Sequence, residues 1–211
     1  MAAADILTRI GRLFYADGVQ GFLRGGSNGE LITAEGKGKY AESSMRSNIF
    51  VCSTAVAGVA PGTAISTTPP FDLHNPANSG VEVSILRVTV GYVSGTLGAG
   101  SLIYTRNTQE TVPSGGTSLT EINARLGVAA GQATCGQGRT IDATPTIIRP
   151  SGLVLGASLA STAALPVHLQ DDIDGEITVP EGQSFCVEGV AAGGSSPLIM
   201  IGVTWQEIPT S

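Results

Sequence analysis

Residues 173–209 alternate short runs of β-branched residues with glycine-containing turns, and they end in an apolar run around Trp205, the only tryptophan of the chain. Such runs, a few residues long and bounded by turn residues, are typical of β-strands. The same pattern recurs upstream, which predicts roughly eight to ten short strands in all. Strands at near-regular spacing need a second layer to cover their apolar face, so the chain is restricted to a sandwich or a barrel.

The clearest strand is predicted at residues 81–93, where apolar and polar side chains alternate and both faces become apolar towards the end. This pattern is typical of a strand that is covered on two sides, or of one that bends around the edge of a sandwich. We therefore predict an all-β fold, a jelly-roll-like antiparallel β-sandwich over residues 48–211. The other predicted strands cover residues 48–54, 64–68, 71–74, 101–106, 147–148, 152–158, 167–170, 175–179, 184–190 and 198–207.

Two segments depart from the strand pattern. Residues 1–47 are predicted to form an extended N-terminal arm, because glycines and charged residues dominate residues 24–47 around one predicted strand at 30–35. Residues 117–126 are predicted to form a short helix, since Ser118 and Glu121 resemble a capping box. A second short helix is predicted within residues 5–23, where apolar side chains lie at helical spacing: Ile6, Ile10, Leu13 and Phe14.

Charge is scarce in this chain. Charged residues make up 13% of it, the net charge is −6 and the pI is about 4.8. Binding to nucleic acid needs clustered Lys and Arg, so no nucleic-acid partner is expected. A large neutral surface favours permanent protein contacts and hence a homo-oligomer, while a monomer wetted by hydroxyls and amides is the alternative. The sequence predicts neither a signal peptide nor a membrane span.

The three cysteines, Cys52, Cys135 and Cys186, stand at distant spacings. Their odd number and the absence of a Cys-x-x-Cys pair indicate neither a zinc site nor a disulfide framework. We predict three buried free thiols, which is the state expected for a chain made in a reducing cytoplasm.

An acidic cluster lies at residues 171–176. Asp171, Asp172 and Asp174 are the ligands to test if any ion binds, because carboxylate oxygens suit calcium. The spacing is not that of a helix-loop-helix calcium site, and Asp and Gly are the residues that turns select. A solvated turn is therefore the favoured interpretation, and no metal site is assigned.

Catalytic chemistry has no sequence signature here. His74 and His168 belong to no known catalytic or metal-binding motif, so both are interpreted as structural. The glycine-rich residues 91–100 lack the Lys-Ser/Thr ending of a phosphate loop, and Trp205 is interpreted as a core anchor rather than a sugar platform. We predict no enzyme activity, no cofactor and no catalytic residues.

Several segments together resemble structural proteins encoded among the virion genes of tailed bacteriophages. Taken in order, these segments span most of the chain from about Gly29 onward, and they comprise residues 36–42, 48–50, 75–80, 91–96, 171–175, 180–182 and 205–207. The resemblance implies a non-enzymatic virion component, either a capsid cement or decoration protein or a piece of a tail, spike or head fibre. It carries no site residues with it.

The leading hypothesis is a capsid decoration protein of the virion, a homotrimer attached by its N-terminal arm to the major capsid protein. The alternative is a tail, spike or head-fibre module that recognises host-surface glycans through loops at residues 97–100 and 127–138, with Tyr92 or Tyr104 stacking on the sugar. An esterase or glycosidase on a β scaffold is a third hypothesis without a supporting motif.

Overall fold

The computed structural model describes residues 38–155 and 168–210. From Ser43 onward the chain forms one compact unit. The described residues contain a short helix α1 (Ala41–Met45) and twelve strands: β1 (Ile49–Ser53), β2 (Phe71–Asn75), β3 (Val81–Leu97), β4 (Gly100–Thr108), β5 (Thr117–Ser118), β6 (Ile122–Asn123), β7 (Thr134–Gln137), β8 (Thr146–Leu155), β9 (His168–Asp172), β10 (Thr178–Val179), β11 (Gln183–Val190) and β12 (Gly194–Pro209).

The strands form two antiparallel sheets. The first sheet has the order β10-β3-β12-β1-β6, and β9 also pairs with β3. The second sheet has the order β5-β7-β2-β11-β4-β8. Side chains from both sheets share one apolar cluster, which includes Trp205 and Ile85 from the first sheet and Phe71 and Phe185 from the second. The all-β antiparallel sandwich predicted from the sequence is confirmed.

Strands that are far apart in sequence pair in a nested order. The first long strand, β1, pairs with the last, β12, and β2 pairs with β11. Further inward, β3 pairs with β9 and β4 pairs with β8. These eight strands therefore pair like one long antiparallel ribbon folded over on itself. Strands β5, β6 and β7 lie in the chain segment that connects β4 to β8.

Most predicted strands are present, but β3 and β12 are longer than their apolar patterns indicated. The two strands stay paired from Val81 to Leu97, beyond the core, as a two-stranded extension. Glycines permit this close approach: a Cβ at Gly194 would lie 1.9 Å from the carbonyl oxygen of Thr96, and one at Gly98 would lie 2.2 Å from that of Gly193. The glycines at this extension thus serve backbone packing.

The helix predicted at residues 117–126 is wrong. That segment forms β5 and β6, which pair with β7 and β1. The Glu121 carboxylate, assigned to a capping box, accepts the backbone N–H of Cys135 at 2.8 Å instead. Tertiary pairing has overridden a weak local preference, and Leu126, expected on the helix's apolar face, is 82% exposed.

Three further strand predictions need correction. Of the strand predicted at residues 175–179, only Thr178–Val179 (β10) is a strand, and residues 174–177 form a turn. Residues 64–68 form a loop, whose backbone is held by contacts such as that of the Ser66 N–H with Glu188. Residues 147–148 and 152–158 were predicted as separate strands, but the single edge strand β8 runs through Pro150 as far as Leu155. Proline is tolerated there because an edge strand leaves backbone groups unpaired on one side. The predicted arm helix at residues 5–23 and the strand at 30–35 lie outside the described residues.

Candidate interaction surfaces

The four longest stretches of the sequence without Asp, Glu, Lys or Arg are residues 47–71, 88–105, 150–170 and 189–206. The fold brings parts of all four to one end of the sandwich. Leu97 pairs with Gly194 and Gly100 pairs with Leu155, while β9 starts opposite Gly91. The loop after β1 joins them, since Val59 forms a β-bridge with Ile199. We call residues 55–64, 92–100 and 191–198 the neutral end.

The surface of the neutral end is made of small uncharged side chains and a few apolar ones. Val56 is the most exposed large hydrophobic residue described, at 83%, and Tyr92 is 42% exposed. Val56 lies in a turn closed by the Gly58 N–H on the Ala55 carbonyl oxygen at 2.8 Å. The other exposed residues are small: Ala55, Ala57, Ala60, Thr63, Ala64, Ser94, Gly95, Ala99, Ala191, Gly194, Ser195 and Ser196.

The opposite end of the sandwich carries charge. The exposed carboxylate of Glu181 accepts the backbone N–H groups of Asn78 at 3.1 Å and Gly80 at 2.9 Å, which joins two turns. Beside it lies an open groove of about 310 Å³, lined by residues that include Arg106, Ile148 and Glu181. Charged side chains thus lie at one end of the strands, and the neutral end lies at the other.

The outward face of the second sheet is polar and nevertheless buried. Asp72 on β2 and Arg139 after β7 form an ion pair in which both Asp72 oxygens receive the Arg139 Nε–H, at 3.1 and 3.0 Å. The two side chains are 0% and 3% exposed. Arg139 also donates to the carbonyl oxygen of Thr134 at 3.2 Å. Burial raises the pKa of Asp72, and the contact with Arg139 opposes that rise.

A second buried carboxylate lies on the same face. Glu188 on β11 is 1% exposed and accepts hydrogen bonds from the Thr105 hydroxyl and the Ser66 N–H, each at 2.8 Å. Burial raises the pKa of Glu188, while these two donors lower it. The loop at residues 61–70 is thereby tied over the sheet. We call Asp72, His74, Arg139, Ser184 and Glu188 the polar layer.

His74 and Ser184 are in contact within the polar layer, but they do not form a catalytic triad with Asp72. The Ser184 Oγ lies 3.4 Å from His74 Nδ1, whereas Nε2 has no hydrogen-bond partner within the described residues. The Asp72 carboxylate is bound to Arg139 and so does not orient the imidazole. His74 is 0% and Ser184 1% exposed, so neither contacts solvent in this structure.

We expect the free energy of unfolding to fall as the pH drops below about 6.5. Burial, aided by the positive charge of Arg139, lowers the pKa of His74. The unfolded chain therefore binds a proton, near its ordinary pKa of 6.5, that the folded chain excludes. Urea unfolding of the wild type and His74→Gln across this range checks the prediction. The difference between the two should shrink towards acid pH, and a constant difference would contradict the assignment.

The acidic cluster is split between two faces of β9. Asp171 accepts the Tyr104 hydroxyl at 2.9 Å and pairs with Arg149 at 3.1 Å. Its neighbour Asp172 pairs with Arg87, at 2.5 Å, and that contact lowers the pKa of Asp172. Asp174 lies in the following turn with a φ of 54°. The described residues contain no group of three or more His, Cys, Asp or Glu side chains arranged to hold a metal.

The aromatic residues considered as sugar platforms lie in different environments. Trp205 is fully buried and stacks on Phe50 with ring centroids 5.9 Å apart, so the core-anchor interpretation is confirmed. Tyr104 is also 0% exposed and packs on Phe185, which makes the stacking role predicted for it wrong. Tyr92 alone of the three is exposed.

The remaining residues considered in the sequence are the three cysteines and His168. Cys52, Cys135 and Cys186 are free and buried, as predicted. Burial raises the pKa of the Cys135 and Cys186 thiols, which keeps both protonated. The backbone of His168 begins β9 opposite Gly91.

The burial of the polar layer was not predicted from the sequence. Alternation in β2 and β11 marks Asp72, His74, Ser184 and Glu188 as one face, and polar faces are ordinarily solvated. The one available signal was the prolines and hydroxyl residues of the loop that covers this face, at residues 61–70.

Comparison of the chain with protein-family models found no match, and searches of curated proteins and of solved structures found none either. Within the described part of the chain, no helix is long and apolar enough to cross a membrane.

Proposed function

We propose that this protein is a non-enzymatic virion structural protein that binds an assembled phage capsid and stabilises it as a cement or decoration protein. The observation that carries the proposal is the neutral end, a surface suited to permanent protein contact on a body whose polar layer is closed to solvent. In the proposed assembly the chain is a homotrimer, and residues 1–47 attach it to the major capsid protein.

The proposal includes the jelly-roll assignment of the sandwich. It is supported by the nested pairing of β1 with β12, β2 with β11, β3 with β9 and β4 with β8, because folding over one eight-stranded antiparallel ribbon generates the two Greek keys of that fold. Virus capsid domains are among the proteins that use this architecture.

The proposed mechanism is mass action. A protein that binds the assembled shell and not its separate subunits stabilises the shell by its binding free energy, without making or breaking covalent bonds. Neutral, small side chains suit the contacts between copies within the bound oligomer, since they are desolvated at a lower cost than charges.

Removal of residues 1–28 is expected to abolish binding to purified shells while the β body stays folded. The reason is that the apolar stripe of residues 5–23 is assigned to attachment rather than to the core of the body. Co-sedimentation with shells measures binding, and circular dichroism with urea unfolding of the same variant is the control. A truncated chain that binds shells as tightly as the full chain would refute attachment by the arm.

One observation favours the fibre alternative: Tyr92, exposed on the neutral end among serine hydroxyls, has the character of a sugar-stacking residue. Glycan-array binding that is lost in Tyr92→Ala would support this second function. Binding to shells by the same protein would favour decoration.

A further inference from the structure

We propose that the neutral end is the surface through which copies of this chain contact one another. The inference deepens the oligomeric part of the proposed function, and it concerns a second copy of the chain rather than the shell. Three features of the described residues support it: the distribution of charge, the exposed side chains and the local backbone.

The distribution of charge indicates which surface suits contact between copies of the chain. Each copy carries a net charge of −6, so identical copies repel one another at long range. Around the axis of a cyclic oligomer such as a trimer, the same end of every copy lies nearest the axis, so equivalent residues approach one another there. Contact through the end that holds Glu181 would bring carboxylates together, whereas contact through the neutral end brings none.

Charge distribution also favours a second copy over another partner. A different protein would complement this acidic chain best with basic residues. The carboxylates that could pair with such basic residues lie only outside the neutral end. Identical neutral ends meet without that requirement, and depletion of charge is characteristic of the buried centres of interfaces.

The exposed side chains supply the anchors. Val56 is 83% exposed on a turn, and Tyr92 is 42% exposed on the extended part of β3. The alanines, glycines and serines around them allow close backbone approach and lose little side-chain entropy when they are buried. Tyrosine is enriched among the residues that anchor interfaces. The small uncharged side chains and the exposed apolar Val56 complete a neutral contact area beside it.

Val56→Asp tests the inference, and Val112→Asp is the matched control. Both valines are exposed on loops, at 83% and 64%, but Val112 lies outside the neutral end. An aspartate is well tolerated in a turn, so Val56→Asp should fold. Sedimentation velocity of the full chain should show a wild-type oligomer whose dissociation constant rises about tenfold or more in Val56→Asp, because a carboxylate would be buried without a partner.

The control and the salt dependence decide the outcome. Val112→Asp should associate like the wild type, and raising the NaCl concentration from about 0.05 M to about 0.5 M should not weaken the oligomer, since no ion pairs cross the interface. A wild-type chain that is monomeric at tens of micromolar, or equal weakening by both substitutions, would overturn the inference. The assay contains no shell, so a chain that associates yet does not bind shells would refute the proposed function alone.

Discussion

Replacement of Arg139 by methionine is expected to lower the free energy of unfolding by about 3–5 kcal/mol. The substitution leaves the carboxylate of Asp72, which is 0% exposed, without its cationic partner. Loss of the Arg139 bond to the Thr134 carbonyl oxygen adds to the cost. Urea unfolding at neutral pH, followed by tryptophan fluorescence, measures the change.

Two further variants separate the ion pair from general disruption. In Asp72→Leu/Arg139→Met both charges are removed together, and much of the lost stability should return, because an apolar pair needs no charge compensation. Arg87→Ala breaks the exposed pair with Asp172, whose side chains are 44% and 45% exposed, and should have a far smaller effect. Equal losses in Arg139→Met and Arg87→Ala would contradict the buried ion pair.

Trp205→Ala is expected to destabilise the sandwich by about 3–5 kcal/mol through the cavity it leaves in the shared core. Trp205 is fully buried, stacks on Phe50 and donates its Nε1–H to Glu207 Oε1 at 3.3 Å. Glu207 in turn accepts the backbone N–H groups of Gln132 and Ala133, so the loop before β7 depends on this corner. Urea unfolding followed by circular dichroism measures the loss.

Trp205→Phe distinguishes the cavity from the hydrogen bond. It keeps most of the ring contact with Phe50 and removes the Nε1–H, so it should cost clearly less than Trp205→Ala. Tyr92→Ala, which truncates an exposed aromatic residue, is the control for loss of ring surface. Destabilisation by Tyr92→Ala as large as that by Trp205→Ala would contradict the core assignment.

The strands of the sandwich could be predicted because each has its own apolar pattern. Val83 and Ile85 on β3 and Phe185 and Val187 on β11 lie at alternate positions and belong to the shared apolar core, as period two requires. The pairing partners lie far apart in sequence, as with Phe50 and Trp205, and no local pattern encodes them. The helix expected around Ser118 and Glu121 failed for the same reason, since its polar groups are used by distant strands.

The neutral end and the polar layer differ in how far each could be predicted from the sequence. The stretches free of charge are visible in the sequence, but only the strand order shows that residues 55–64, 92–100 and 191–198 meet at one end. The polar layer could not be predicted because Asp72 and Glu188 are polar residues on the outward face of a sheet, where side chains are ordinarily exposed to solvent. Burial of such residues depends on loops that have no periodic pattern.

Shell melting in the presence of increasing amounts of the protein measures whether it stabilises an assembled capsid by reversible binding. The melting temperature of purified shells should rise with the concentration of free protein and continue to rise in proportion to its logarithm once the sites are full. It should return to its starting value when the protein is removed. A melting temperature that does not respond to the protein at any concentration would refute capsid stabilisation.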